Sequence, residues 1–366
     1  MKITGSQAVM RSLVAQNTKI IFGYPGGAIM PIYDALYDFR DKIQHVLVRH
    51  EQGAIHAAEG YARVTGNPGV CFATSGPGAT NLVTGIADAM LDSVPLVCIT
   101  GQVFAHLVGT DAFQETDVIG VTTPITKWNY QITDASEIPQ IIAKAFYIAG
   151  TGRPGPVVID ITKNAQMEMC EYKNIKKVII PSYKIPKEIS KKHIKEAAEL
   201  INNAEKPLML IGHGILISKA EQEVIDFADK SGIAVASTLH GLSAFPSSHK
   251  QYVGLLGMHG RYGANVLTNK ADVIVAVGMR FDDRVTGRVA DYAKQAKIIH
   301  IDIDAAELNK IIPVNVAITA DAKKALQLLL PLVKKNTHAS WLAQFREHDH
   351  IENEKVTKKE LSAEKE

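Results

Sequence analysis

In the stretch VLVRHEQGAIHAAEGYARVTG, Val46 to Gly66, one carboxylate stands at a joint: Glu51 follows the apolar run Val46–Val48 and opens a segment of small residues. An acid in the first turn of a helix is stabilised by about 0.3–1 kcal/mol through the dipole, which alone would explain it. A carboxylate held in a cleft can instead exchange a proton or a hydrogen bond with a ligand. The dipole favours the ionised form, while burial among Gly53, Ala54, Ile55, Ala57 and Ala58 would raise the pKa. Both readings stand at this point. TSGPGATN, Thr74 to Asn81, sets Ser75, Gly76, Pro77 and Gly78 between an apolar run and a helix-like one. Such a turn aims backbone N–H groups at a helix start, where anionic ligands bind. Its spacing is neither a dinucleotide fingerprint nor a P-loop, so a plain tight turn is an equal alternative.

A second group lies further along. Gly212 and Gly214 in LIGHGI follow an apolar run, a weak signal. In VGMRFDDRVTG, the residues Arg280, Asp282, Asp283 and Arg284 follow another, and HIDID places Asp302 and Asp304 after a third. Charged groups at the carboxyl ends of parallel strands stand where open α/β sheets bind ligands, arginine suiting phosphate and carboxylate suiting ribose hydroxyls. A mutual salt-bridge cluster is the alternative. Together these residues suit a dinucleotide, and the incomplete nicotinamide fingerprint leaves room for a flavin or a structural nucleotide. Glu59 and Arg63, one turn apart, read as a helix-surface pair. Phe113 and Gln114 in GTDAFQET read, alone, as part of an ordinary loop. The histidines, among them His50, His56 and His259, lack zinc-ligand spacing, and no metal ligand is read.

The elements that must position these groups alternate. Thr4 and Gln7 form a capping box at the first helix. Short strands, apolar throughout and bounded by Gly or Pro, then alternate with helices: KIIFGYP, HVLVRH, GVCFATS, PLVCITG and GPVVIDIT, with an irregular stretch to about Trp128. Continuous apolar strands imply a parallel sheet covered on both faces. A linker with Pro181 and Pro186 precedes a second alternation, PLMLIGHG, IAVASTL, DVIVAVGM, KIIHIDID and VNVAIT. The fold class is therefore α/β, two tandem doubly wound parallel sheets: a first domain over 1–165, a linker over 166–188, a second domain over 189–335, and a charged tail over 336–366 read as a solvated helix or frayed end.

The 366 residues carry 40 Lys and Arg against 38 Asp and Glu, without a basic block interleaved with aromatics, which excludes the electrostatic footprint of a nucleic-acid binder. Cys71 and Cys98 fall in apolar runs and read, with Cys170, as buried thiols of a reducing compartment. With no membrane-length apolar run and no signal core, the expected location is the cytoplasm.

FGYPGGAIMPIYDAL, RHEQGAIHAAEGYAR, TSGPGATNLVTGIADA, GTDAFQE, GRPGPVVIDI and RFDDRVTG resemble the large catalytic subunit of the acetolactate synthase family, thiamine-diphosphate enzymes of branched-chain amino-acid biosynthesis. The resemblance runs to about Val333. TSGPGATN and the Glu51 motif are shared across thiamine-diphosphate enzymes, whereas GTDAFQE with RFDDRVTG favours the flavin-containing biosynthetic type. It implies a pyrimidine-binding first domain and a Rossmann-like, FAD-binding central domain. Glu51 would hydrogen-bond N1′ of the aminopyrimidine and promote its tautomerisation. Gly27, Phe113 and Gln114 would line the reacting centre, with Ser75 and Gly76 against the cofactor. A non-redox FAD would lie along Arg153, Gly212, Gly214, Thr238, Leu239, Met258, His259, Gly260, Gly278, Arg280, Asp282, Arg284, Val285, Asp302 and Asp321. The substrates implied are 2-keto acids, pyruvate and 2-ketobutyrate, and the assembly a homo-oligomer with a small regulatory subunit. Two departures qualify this. The family's GDG…N motif, which binds Mg²⁺ and the diphosphate in a third domain, does not occur here, so the chain is expected to be an incomplete fragment, inactive alone. Phe104 in GQVF stands where many relatives have proline, near the substrate-channel mouth. A sister enzyme (pyruvate oxidase or a catabolic synthase) and a non-catalytic flavin-binding module are the competing readings.

Overall fold

The computed structural model describes residues 1–186 and 188–359. It divides into two compact units, the second beginning at Pro186.

In the first unit six strands run parallel in the order Gln44–Leu47, Ile20–Gly23, Gly69–Ala73, Leu96–Gln102, Pro156–Thr162, Trp128–Ile132. The strands Gly69–Ala73, Leu96–Gln102 and Pro156–Thr162 are buried along their whole length. Their side chains alternate between two cores, as the period of two requires. Val70, Phe72, Val97, Ile99, Val157, Ile159 and Ile161 join one with Met10 and Leu13 of helix Gly5–Ala15. Cys71, Cys98 and Val158 join the other with Ala54, Ile55 and Ala58 of helix Glu51–Thr65. That helix is poor in large side chains on its inner face, so it lies close to helix Val83–Asp92: a Cβ on Gly85 would come within 2.3 Å of Ile55 Cγ2. The capping box of Thr4 and Gln7 is present in both directions.

Several local expectations change. The strand Trp128–Ile132 lies at the end of the stretch read as irregular; it is a half-buried edge strand without the continuous apolar signal of the others. Met169–Glu171 pairs antiparallel with Lys2–Thr4, so the beginning of the expected linker is tied into the first unit. Glu59 does not pair with Arg63. It is buried, spaced one turn from Ile55 on the inward face, and meets His56 Nδ1 at 2.7 Å, while Arg63 reaches Asp92 on the neighbouring helix at 2.7 Å.

In the second unit six parallel strands follow the order Tyr252–Leu255, Ala234–Ser237, Pro207–Ile211, Val273–Val277, Lys297–Asp302, Val316–Thr319. Met209, Ile211, Val275 and Val277 face one core, Leu208, Leu210, Ile274 and Ala276 the other. The expected tail is partly core: helix Ala339–Glu352 buries Trp341 and Phe345, and Trp341 Nε1 donates to Pro207 O at 3.0 Å. Charge density hides this in the sequence, because two aromatics four residues apart suffice to anchor an otherwise polar helix. Residues 360–366 of that expected tail lie outside the described residues. No described helix is long and apolar enough to cross a membrane.

Candidate active site

Beside the strand Ile20–Gly23 the first sheet reverses its winding. From Ile20–Gly23 the chain steps outward to Gln44–Leu47, then returns to the other side of its starting strand at Gly69–Ala73. The crevice beyond the carboxyl ends of strands at such a reversal is where open α/β sheets bind ligands. Gly26–Ala28 leaves one strand there and Thr74–Gly78 leaves the other. Thr74 Oγ1 accepts the Ala28 N–H at 3.2 Å, and buried Gln166 donates Nε2 to Ala28 O and Ile161 O at 2.8 Å each. The loop carrying Gly27 is thus gripped at both backbone groups of its neighbour. Gly27 itself faces open space: a Cβ there would meet nothing within 4 Å.

Glu51 is the first residue of helix Glu51–Thr65, with His50 as cap, accepting the Gln52 N–H at 3.1 Å. The capping role therefore belongs to His50. The Glu51 side chain is buried and turned toward TSGPGATN: Asn81 Nδ2 donates to Oε2 at 2.9 Å, and Oε1 lies 3.1 Å from where a Cβ of Gly78 would stand. Among the described residues Oε1 accepts no hydrogen bond. Asn81 sits at the break between helices Pro77–Thr80 and Val83–Asp92. Tyr33 is half-buried nearby, its enclosed hydroxyl without a partner and its pKa pushed up by burial, with Cys71 and Glu51 adding to the shift.

Gly76 has φ +52°, and a Cβ on it would stand 2.5 Å from Gln114 O, so only glycine lets the two backbones approach. This brings GTDAFQET onto TSGPGATN. Glu115 ties the loop from within, accepting the N–H groups of Gly109 and Ala112, and these bonds hold its carboxyl below the usual range. Phe113 and Gln114 are left exposed, Gln114 at φ +57°. Behind the loop, Asp160 is fully buried and accepts from Thr100 Oγ1 at 2.6 Å, Gln102 Nε2 at 3.0 Å and Gln131 Nε2 at 2.9 Å. Burial pushes its pKa up and the three donors oppose that.

The second sheet repeats the reversal. From Pro207–Ile211 the chain steps out through Ala234–Ser237 to Tyr252–Leu255 and returns at Val273–Val277. Gly212 and Gly278 follow the two strands that flank this point. They are packed backbone to backbone: Gly214 N donates to Gly278 O at 3.0 Å, and Gly278, at φ +60°, has Gly214 Cα 2.6 Å from where its Cβ would be. Thr238 and Leu239, then Met258, His259 and Gly260, follow the two outer strands at the same edge. Asp302 ends the strand Lys297–Asp302, Asp321 follows Val316–Thr319, and Arg280, Asp282, Arg284 and Val285 follow Val273–Val277. The acids there also serve locally. Asp302 accepts the Asp304 N–H at 2.8 Å, Asp282 caps Arg284 N at 3.0 Å and Asp321 caps Lys324 N at 3.1 Å. Arg280 to Asp282 and Arg284 to Asp283 are loose at 3.9 and 3.8 Å, which leaves both guanidinium groups able to take a phosphate. Arg153 lies in the first unit, donating Nε to Ser93 Oγ at 2.8 Å.

Residues 3–121 match the thiamine pyrophosphate enzyme N-terminal TPP binding domain, and residues 194–329 the thiamine pyrophosphate enzyme central domain. The chain belongs to the thiamine pyrophosphate enzymes. Within them it is similar to acetolactate synthase large subunits. It is 51% identical over 333 residues to that of Corynebacterium glutamicum, covering 91% of this chain and 53% of that protein. To the large subunit of Lactococcus lactis it is 49% identical over 335 residues (91% and 58%), and to the probable large subunit of Methanocaldococcus jannaschii 50% over 330 residues (89% and 55%). The chain spans about half the length of these relatives.

Sequence reasoning alone does not single out Gln102, Asp160 and Gln166 as site residues. The available signals are an acid inside the apolar run PVVIDIT and a glutamine ending PLVCITGQ, each polar where a buried strand should be apolar.

Proposed function

We propose that this chain is the pyrimidine-binding and FAD-binding portion of an acetolactate synthase catalytic subunit, which decarboxylates pyruvate and joins the remaining two-carbon unit to a second 2-keto acid, pyruvate or 2-ketobutyrate. The observation that carries this is Glu51: a buried carboxylate at the reversal point of the first sheet, with Oε2 held by Asn81 and Oε1 directed at Gly78 in a crevice walled by glycine loops. The residues present fit an aminopyrimidine. Oε1 can exchange a hydrogen bond with a ring nitrogen, and the open face of Gly27 and the missing Cβ of Gly78 leave room for a flat ring. Thiamine diphosphate, when bound, supplies the electron sink for decarboxylation and carbon–carbon bond formation.

The chain's own groups have distinct tasks in this reading. Glu51 holds a proton at the ring nitrogen it faces. Ser75 and Gly76 form the wall of the crevice, while Phe113 and Gln114 close over it and exclude water. In the second unit FAD would lie across the carboxyl edge of the sheet. Its pyrophosphate would be near Gly212, Gly214 and Arg280 and its ribose near Asp302. The resemblance to the biosynthetic synthases supports a flavin that is not reduced during turnover. It equally supports assembly with further copies, a regulatory subunit and Mg²⁺ at the diphosphate.

The test uses the protein from the complete reading frame, supplied with thiamine diphosphate, Mg²⁺ and FAD. Acetolactate formation from pyruvate with the flavin staying oxidised is expected. Stoichiometric flavin reduction by pyruvate would favour an oxidase instead, and flavin binding without any turnover would favour a non-catalytic module.

A further inference from the structure

Asp160 is a fully buried carboxylate which, among the described residues, has no cation beside it. A charge in that position is retained at a cost unless its hydrogen bonds do something an apolar residue could not. Its three donors come from two neighbouring strands: Thr100 and Gln102 from Leu96–Gln102, and Gln131 from Trp128–Ile132. Gln102 is the outlet of this network. Its amide nitrogen spends one hydrogen on Asp160 Oδ2 and the other on Thr116 O at 3.0 Å, and its oxygen accepts the Val103 N–H at 2.9 Å. Both amide hydrogens are engaged and the oxygen accepts one bond, so the orientation of the side chain is set by Asp160 and Thr116 O. Thr116 O is two residues from Gln114, whose own carbonyl is pressed against Gly76.

We propose that Asp160 and Gln102 are positioning residues: Asp160 orients the Gln102 amide, and Gln102 holds Thr116 O so that Phe113 and Gln114 stand over the crevice in register with Gly76. The consequence for catalysis rests on the function proposed above; the consequence for the loop does not. The expected specialisation is in binding the 2-keto acid rather than in the proton chemistry at Glu51, because the network touches the loop and not the carboxylate.

Amide hydrogen exchange on this chain tests the loop directly. Gln102→Met should speed exchange across residues 109–118 by about tenfold, the scale of one lost buried hydrogen bond, while strands 96–101 and 156–162 stay protected. Asp160→Ala should do the same. Asp160→Asn should behave as the parent chain does, because its amide nitrogen can turn to the Thr100 hydroxyl, which then accepts, and its oxygen still receives both glutamines. In the complete enzyme, Gln102→Met should raise KM for the 2-keto acid more than it lowers kcat, at unchanged flavin content. Parent-like loop exchange in Gln102→Met, or strands and loop losing protection together, would overturn the proposal. So would Asp160→Asn failing like Asp160→Ala. If the complete parent enzyme formed no acetolactate, the functional reading would fall, and the exchange pattern would still decide the positioning role.

Discussion

Asn81 and Glu51, thirty positions apart, meet at 2.9 Å, and the bond uses only one carboxylate oxygen. The other is aimed at the glycine of the turn that brings Asn81 there. In the complete enzyme, Glu51→Gln should therefore lower kcat by about 10²-fold or more, the scale of a positioned proton-transfer group. Flavin content should not change, since Glu51 is not among the residues proposed to hold the flavin. Asn81→Ala should cost less, about tenfold, because it frees Oε2 without removing the acid. Turnover and bound-flavin absorbance, measured on the same preparations, check both. A Glu51→Gln enzyme with unchanged kcat would reduce Glu51 to a helix-start acid.

Gly76 is constrained twice over. Its φ of +52° and the 2.5 Å approach of Gln114 O to a would-be Cβ oppose any side chain. Gly76→Ala should destabilise the first unit by about 1–3 kcal/mol from backbone strain alone. It should also displace the loop that carries Phe113. Urea denaturation gives the first quantity, and increased protease cleavage between 109 and 116 reports the second.

Much of this geometry is legible in the sequence, for a physical reason. Parallel strands buried on both faces must be apolar throughout, and the short Gly-rich joints after them must lie at the carboxyl edge. Glu51, TSGPGATN, LIGHGI and RFDDRVTG therefore declare both their elements and their side of the sheet. Less legible are contacts that depend on tertiary neighbours. Glu59 looks like a surface partner of Arg63, because i,i+4 spacing is visible in sequence and the helix Val83–Asp92 covering it is not. Asp160 and Gln102 sit inside strand signals strong enough to mask them. Trp128–Ile132 escapes notice because an edge strand need not be apolar.

Trp341 decides whether the polar carboxyl-terminal helix belongs to the core. It is 1% exposed, its indole N–H is bonded to Pro207 O, and its ring meets Phe345 edge-on at 4.9 Å. Trp341→Ala should cost about 3–5 kcal/mol, as large buried aromatics do. A solvated helix would lose less than about 0.5 kcal/mol, the range for surface changes. Urea denaturation of the variant against the parent chain separates these outcomes.

His300 gives the second unit a pH dependence of definite sign. The ring is 1% exposed, bonded through Nε2 to Met279 O at 2.7 Å and edge-on to Phe281, and Nδ1 has no partner. The neutral form, donating from Nε2, is satisfied there; a proton on Nδ1 would be buried without an acceptor. Burial therefore lowers its pKa, with the Met279 carbonyl and Glu307 opposing. As pH falls below about 6.5, the unfolded chain takes up this proton and the folded one does not. Stability is lost from there downward until the folded pKa is reached. His45 and His338 are lowered in the same direction, so the total slope is shared. The specific measurement is the difference between the parent chain and His300→Gln, whose amide can still donate to Met279 O, by urea denaturation between about pH 5 and 8, a span that brackets the unfolded value. The parent should lose up to about 1.4 kcal/mol per pH unit more than the variant as the solution is acidified below the unfolded value. A difference that stays constant across the range would mean that His300 is protonated in the folded state as readily as in the unfolded one.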